Sequence, residues 1–289
     1  MLNVLPTGQS CGAIVEGVDL SKPLDGPAIR EIRSLWLEHL VLAFPDQDLS
    51  DADLVRFTDY LGGIGDDPYF ESIEPGNPVV ALTRRADEQA PVFAESWHSD
   101  WSFKAEPPVG TCLYSLVVPP VGGDTGFVNL IKALAEMPDA LRRRLEGRNA
   151  LHSAAGAYAP EGAYGERERG SDRSMKIRYS EDARAVHPHP FIRRHPETGK
   201  ESLFGCLGYI IGVEGMAADE AGNLVRELYA WQTRPAFQYT HKWSPRMLVI
   251  WDNRSVLHRA YGGYDGYARE LHRTTIRANP ERFLHLAAG

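Results

Sequence analysis

The spacing of apolar positions changes along the chain, and each change predicts a different element. From Pro27 to Leu40, the residues Ile29, Ile32, Leu35, Trp36 and Leu40 fall on one helical face, with Pro27 near the first turn, so an amphipathic helix is expected. Ala13 to Val18 before it and Val41 to Phe44 after it read as short strands. Ser50, with Asp53 three positions on, carries the mark of a capped helix start, and Leu54, Phe57 and Leu61 supply the buried face of that second helix. The first third is mixed α/β.

From about residue 78 the texture shifts to short apolar runs bounded by Gly, Pro and Asp: PVVALT, GTCLYSLVV, GFVNLI, RMLVIWD and RTTIRA. Such runs predict the strands of a sandwich or barrel. Two helical stretches interrupt them, Pro138 to Leu145 and Ala221 to Trp231, the second aligning Leu224, Leu228 and Trp231. Residues 154–174, AAGAYAPEGAYGERERGSDRS, have neither period and read as a mobile surface loop, either a tolerated insertion or a lid over bound substrate. With no internal repeat and no linker-like boundary, the 289 residues read as one domain, 1–289.

Composition narrows the function. Hydrophobic residues at 43% and charged ones at 24% give a globular balance that argues against global disorder. A net charge of -8 argues against nucleic-acid or anionic-membrane partners, because phosphate neutralisation needs a surplus of Lys and Arg. Cys11, Cys112 and Cys206 are widely spaced and odd in number, which indicates neither a disulfide framework nor a CxxC site and fits a reducing compartment. The N-terminal stretch lacks a basic leader pattern and no apolar run approaches the roughly 20 residues of a membrane span, so a cytoplasmic protein is expected.

Candidate chemistry concentrates in WHSDWSF. His98 and Asp100 are two residues apart, so on an extended strand both side chains leave one face and can reach one ion. One His and one carboxylate are two thirds of the facial triad that suits iron(II), with three coordination sites left open. The spacing arises by chance too readily to decide alone. His258, in RMLVIWDNRSVLHRA, follows an apolar strand and a polar turn and is a candidate third ligand. Beyond it, Arg269, Arg273 and Arg277 share one parity and on a strand would face one side. Guanidiniums facing a barrel interior are costly unless anions pair with them, and an anionic cosubstrate would do so.

With these residues in view, the chain resembles the taurine dioxygenase and 2,4-dichlorophenoxyacetate dioxygenase (TauD/TfdA) family of iron(II)/2-oxoglutarate enzymes. WHSDWSF, VPPVGGDTGF, HPFIRRHPETGKESLF, WDNRSVLH and RELHRTT carry the resemblance, in the family's order and over nearly the whole chain. It implies an α+β fold built on a double-stranded β-helix, the jelly-roll or cupin-like barrel, with flanking helices. Iron(II) would be held by His98, Asp100 and His258, and the distal carboxylate of 2-oxoglutarate by Arg269 and Thr125. The reaction would consume O2 and hydroxylate a small anion, a carboxylate, sulfonate or sulfate ester, with or without an aromatic ring, and give succinate and CO2 as coproducts. A homo-oligomer, dimer or tetramer, is also implied.

Alternatives stay open at this point. Thr125 also reads as a plain turn residue, and Arg273 either holds the substrate anion or pairs with a carboxylate such as Asp252. Arg277 reads as a surface or strand-end residue. Where taurine-specific members carry a histidine and a tyrosine, this chain reads DDPYFES, so Tyr69, Phe70 and Trp101 are the candidate walls of a more aromatic, phenoxyalkanoate-like pocket. Cys206 stands where the family usually has Asn. His187, His189 and His195 are each followed by Pro or sit beside the turn PETGK, which argues against a second metal site. A zinc or manganese hydrolase or isomerase on a similar barrel would use the same triad but has no need of Arg269 and Thr125.

Overall fold

A computed structural model describes residues 2–168 and 170–279. Strands β1 (Asn3–Pro6) and β2 (Ala13–Glu16) pair antiparallel ahead of the first helix, α1 (Gly26–His39). Asp25 caps α1 by accepting from the Ala28 N–H at 2.8 Å, and Pro27 occupies the first turn, where its missing donor is not needed. Leu40 ends the helix at φ 66, and β3 (Val41–Phe44) follows with all four residues buried. The expected capping box of Ser50 and Asp53 is formed and opens α2 (Asp51–Tyr60).

Next come β4 (Val80–Arg84), β5 (Gly110–Val117) and β6 (Thr125–Asn129). Here the sequence reading of GFVNLI as one strand needs correction. Asn129 accepts from the Lys132 N–H and turns the chain into α3 (Leu130–Ala135), because a capping side chain competes with the strand ladder. Then follow α4 (Asp139–Leu145), β7 (Asn149–His152), α5 (Ala155–Tyr158), β8 (His187–Pro190) and the hairpin β9 (Ile192–Arg194) to β10 (Glu201–Leu203), whose turn is PETGK. The remainder is β11 (Ile210–Val213), α6 (Ala218–Gln232), β12 (Gln238–His241), β13 (Leu248–Asp252), β14 (Val256–Ala260) and β15 (Arg269–Ile276).

Seven strands form one sheet in the order β1-β2-β3-β13-β5-β15-β4, and β12-β6-β14 form a second. Strand alternation assigns the two faces of the large sheet. Leu42, Phe44, Cys112, Tyr114, Leu248 and Ile250 pack against Ile32 and Trp36 of α1 and Leu54 and Phe57 of α2. Their neighbours Val41, Ala43, Leu113, Val249 and Trp251 turn the other way and meet Phe127, Tyr239 and Val256 of the second sheet. With both faces covered, these strands read as nearly continuous apolar runs.

Residues 154–174 depart from the mobile surface loop expected of them. Within the described part, Tyr158 and Ala159 are buried, and the chain folds back on itself through Ala163 N–H to Gly156 O and Tyr164 N–H to Ala157 O. The small residues allow this: a Cβ at Gly165 would lie 2.1 Å from the Pro160 carbonyl oxygen. Among the described residues no helix is long and apolar enough to cross a membrane.

A buried ion network fastens the hairpin turn to α1 and to the β13–β14 turn. Asp252, fully buried, accepts from Arg254 at 2.8 Å and lies 3.0 Å from His195 Nε2, while Glu197 joins Arg254 to Arg33 of α1. Burial alone would raise the Asp252 carboxyl, but Arg254 and His195 hold it well below the usual range. Its stabilisation is therefore complete above the unfolded value near about 4 and is lost as pH falls below it. Asp252→Asn should cost about 3 kcal/mol at neutral pH, because it removes the fully buried one of Arg254's two counter-ions, leaving the more exposed Glu197, and takes the charged partner from His195. It should also flatten the acid limb of stability measured by urea unfolding.

Candidate active site

The first two candidate ligands are placed by a single bridge rather than by the strand their spacing implied. His98 and His258 exchange backbone hydrogen bonds of 2.9 and 2.8 Å, which sets the HxD segment beside β14 with the imidazole centroids 4.2 Å apart. The chain then turns, and Trp101 takes φ 48, a conformation that a bulky residue holds only when its surroundings fix it. The fixing contacts are on hand: Trp101 is 2% exposed and its Nε1 donates to Asp67 at 2.8 Å.

Asp100 is oriented by a chain of side chains. Thr111 donates to Asp100 Oδ2 at 2.6 Å, Asn253 donates to Thr111 at 2.9 Å, and Trp251 donates to Asn253 at 3.0 Å. The other oxygen, Oδ1, is left 3.9 Å from His98 Nε2 and 3.7 Å from His258 Nε2. His98 Nδ1 bonds Ser96 O at 2.8 Å, so with the proton there Nε2 presents its lone pair.

One donor atom from each of the three residues lies within 4.8 Å of the others. Desolvation lowers both histidines, and for His258 the neighbouring His98 adds to the effect. Burial would raise Asp100, but Arg273, His258 and His98 outweigh it and hold the carboxyl at about 2. Two neutral imidazoles and one carboxylate are the donor set of a facial triad. The separations are wider than the about 3 Å between cis ligands around an ion with bonds near about 2.1 Å, so the residues fit a divalent ion with a modest inward adjustment.

Thr125 and Arg269 line the same cavity as the three candidate ligands, together with Leu113, Trp251 and Ala260. Trp243 Nε1 donates to Thr125 Oγ1 at 3.0 Å, and among the described residues that hydroxyl has no acceptor for its own proton. Arg269 has no ion-pair partner among the described residues, and desolvation brings its guanidinium down to about 10. The GGDT turn packs directly on it: Gly123 stands at φ +70, and a Cβ there would come 3.4 Å from Arg269 Nε. The parity argument for β15 holds, since its irregularity opposite β5 falls at Leu116 and leaves Arg269 and Arg273 on one cavity. Arg277 lies past the end of β15 and is exposed, as its strand-end reading had it.

Arg273 is 4% exposed, and its partner differs from the Asp252 considered from the sequence. Asp252 is taken up by Arg254 and His195, whereas Arg273 Nη2 lies 3.1 Å from Asp100 Oδ1 and 3.2 Å from Asp67 Oδ1. Those contacts have ion-pair distance without hydrogen-bond alignment, and Nε and Nη2 are both buried without an aligned acceptor. The guanidinium stacks 5.3 Å from the Phe70 ring and 5.1 Å from the Trp101 ring.

Beside the first cavity is an aromatic chamber floored by His98, Asp100 and Arg273 and walled by Phe70, Phe93, Trp101, Tyr158, Tyr164 and Tyr209. Of the three proposed wall residues, Phe70 and Trp101 line it and Tyr69 does not. Tyr69 stands behind the wall, stacked on Tyr158 at 4.4 Å and 3°. Sequence reasoning missed Asp67, Thr111, Trp243, Tyr158, Tyr164 and Tyr209. None sits in a periodic element with a ligand-like spacing, and the two tyrosines at 158 and 164 fall in the segment read as a surface loop. Cys206 is fully buried, and His189 bonds the Lys104 carbonyl rather than facing a metal.

Residues 3–275 match the family described as taurine catabolism dioxygenase TauD, TfdA. An (S)-phenoxypropionate/alpha-ketoglutarate-dioxygenase of Delftia acidovorans is 31% identical over 274 residues, covering 90% of this chain and 89% of the relative. An alpha-ketoglutarate-dependent 2,4-dichlorophenoxyacetate dioxygenase of Cupriavidus pinatubonensis is 33% identical over 279 residues, covering 90% and 92%. Among solved structures, a taurine dioxygenase from Burkholderia xenovorans superposes with a TM-score of 0.78 at 28% identity, covering 96% of this chain and 90% of that one.

Proposed function

The chain belongs to the taurine catabolism dioxygenase TauD, TfdA family, and on that premise we propose that it hydroxylates a small organic anion with an aromatic body. The proposed reaction takes one O2 and one 2-oxoglutarate (alpha-ketoglutarate) per substrate and yields succinate, CO2 and the hydroxylated product. Iron(II) with 2-oxoglutarate supplies the O2 chemistry when bound. The rest is the work of the chain's own residues.

His98, Asp100 and His258 would hold the iron from one side, with Asp100 aimed by Thr111, Asn253 and Trp251. Arg269 would fork onto the distal carboxylate of 2-oxoglutarate while the free proton of Thr125 donates to it. The observation that carries this reading is Arg269, a desolvated guanidinium on the triad's own cavity that no described carboxylate reaches at salt-bridge distance, Asp124 acting on it only from farther off. A zinc or manganese hydrolase gives that residue nothing to do.

The aromatic chamber would take the substrate, with Phe70 and Trp101 against its body and residues 154–174 as the lid that keeps water out. Two phenoxyalkanoate dioxygenases among the relatives, together with the aromatic walls, support an aromatic carboxylate as substrate. The facing of the large sheet and β12-β6-β14 across one core supports a jelly-roll barrel in one catalytic domain. Three free, buried cysteines are in keeping with a reducing cytoplasm.

Mixing the protein with iron(II) and 2-oxoglutarate without oxygen should produce a weak visible charge-transfer band. No band at concentrations that saturate relatives would overturn the reading. Substrate-dependent succinate formation across phenoxyalkanoates, sulfonates and sulfate esters should then be greatest with phenoxyalkanoates.

A further inference from the structure

We propose that Asp67 sets the charge preference of the aromatic chamber: by pairing with Arg273 it cancels the cation there, so that the ligand's aromatic body carries recognition more than its charge. The inference rests on the chamber being the substrate site, as proposed above.

Arg273 is the sole Lys or Arg among the described residues lining the chamber. It meets two carboxylates, Asp100 at 3.1 Å and Asp67 at 3.2 Å. Asp100 is committed with His98 and His258 to a divalent ion, and its charge counts toward that centre. Asp67 has no such second claim; burial pushes its carboxyl up, and Arg273, the largest influence the other way, favours its charged form. Its side chain is 4% exposed, and the single oxygen Oδ1 receives Trp101 Nε1 at 2.8 Å and faces Arg273 Nη2. That oxygen joins a wall residue of the chamber to its cation.

Asp67 is not among the lining residues, so it acts through Arg273 and Trp101 as a positioning residue. An incoming anion would gain the attraction of Arg273 and meet the repulsion of Asp67 from just behind it, in surroundings that screen neither well. Around this floor stand Phe70, Phe93, Trp101, Tyr158, Tyr164 and Tyr209, whose faces and edges favour a flat apolar ring irrespective of its charge.

The test uses three ring probes of one size: benzoate and benzenesulfonate as anions and benzamide as the neutral form. Their affinities are measured by calorimetry, without oxygen, on protein loaded with iron(II) and 2-oxoglutarate. In the unaltered protein benzoate and benzamide should bind within 10-fold of each other. An anion preference above about 10-fold would overturn the proposal without any variant.

In Asp67→Asn the acceptor for Trp101 is kept and the charge removed, so both anions should tighten on the order of 10-fold while benzamide is unmoved. Equal changes in all three probes, no change, or weaker anion binding would each count against Asp67 as a charge determinant. A merely structural role moves benzamide as much as benzoate. If no probe binds although the visible band forms, the chamber and this inference fail while the dioxygenase reading stands.

Discussion

Asp100→Asn should reduce turnover at least 1,000-fold and weaken iron(II) binding in step, a loss on the order of 4 kcal/mol or more. The triad contributes one negative charge to a divalent ion, and Asp100 is its only source, since both histidines are held neutral by desolvation. Asn keeps the shape and still accepts from Thr111, so the fold is expected to survive and thermal unfolding should shift little. Arg273 also retains one carboxylate, Asp67. Supporting residues around a metal typically account for 10- to 100-fold, and a ligand for more, so Thr111→Val should fall in the smaller range. Equilibrium iron(II) titration and succinate formation measure the two effects separately. An Asn variant within 10-fold of the parent in both would remove Asp100 from the metal.

The parts that sequence foretold are those with a local cause. The two helix starts were legible because Pro27 needs no partner for a first-turn N–H and Ser50 and Asp53 satisfy free groups of their own helix; the Asp25 cap emerged only with the structure. Arg269 and Arg273 on one side of β15 followed from strand parity alone. The helix after β6 was missed because a single residue, Asn129, ends a strand that the apolar run seemed to continue.

Elsewhere the cause is not local. His98 and Asp100 converge through a bridge to a residue 160 positions away and a strained turn at Trp101, where spacing had implied a plain strand. Which carboxylate stands by Arg273 stayed open in the sequence, where Asp252 was one example, because charge pairing across a fold has no signature in spacing and Asp67 looked like any acidic residue of a turn. Tyr158 and Tyr164 join the chamber from a stretch rich in Ala and Gly, whose lack of a period reflects tight chain reversal rather than exposure. Periodicity detects residues that pack as a row, and these pack singly.

Arg269→Ala should raise the KM for 2-oxoglutarate on the order of 1,000-fold, about 4 kcal/mol, with a smaller fall in kcat at saturating ketoacid. A forked guanidinium contributes two charge-assisted hydrogen bonds to one carboxylate, each worth about 1.5–3 kcal/mol. On the proposed reading the site suits that anion, because the guanidinium is desolvated, its pKa is drawn down to about 10, and Asp124 acts on it only from beyond salt-bridge distance. Desolvation of an unpaired cation destabilises the empty fold, and the arriving anion relieves it. Binding should therefore raise the melting temperature of the parent protein, and this gain should disappear in Arg269→Ala. Arg269→Lys keeps the charge but not the fork and should lie between the two. Thr125→Val removes one neutral hydrogen bond, about 1 kcal/mol, and should raise KM only several-fold. That order, Ala above Lys above Val, follows from the carboxylate meeting Arg269 first and Thr125 second. A hydrolase using the triad alone would show no dependence on the ketoacid in any of the three.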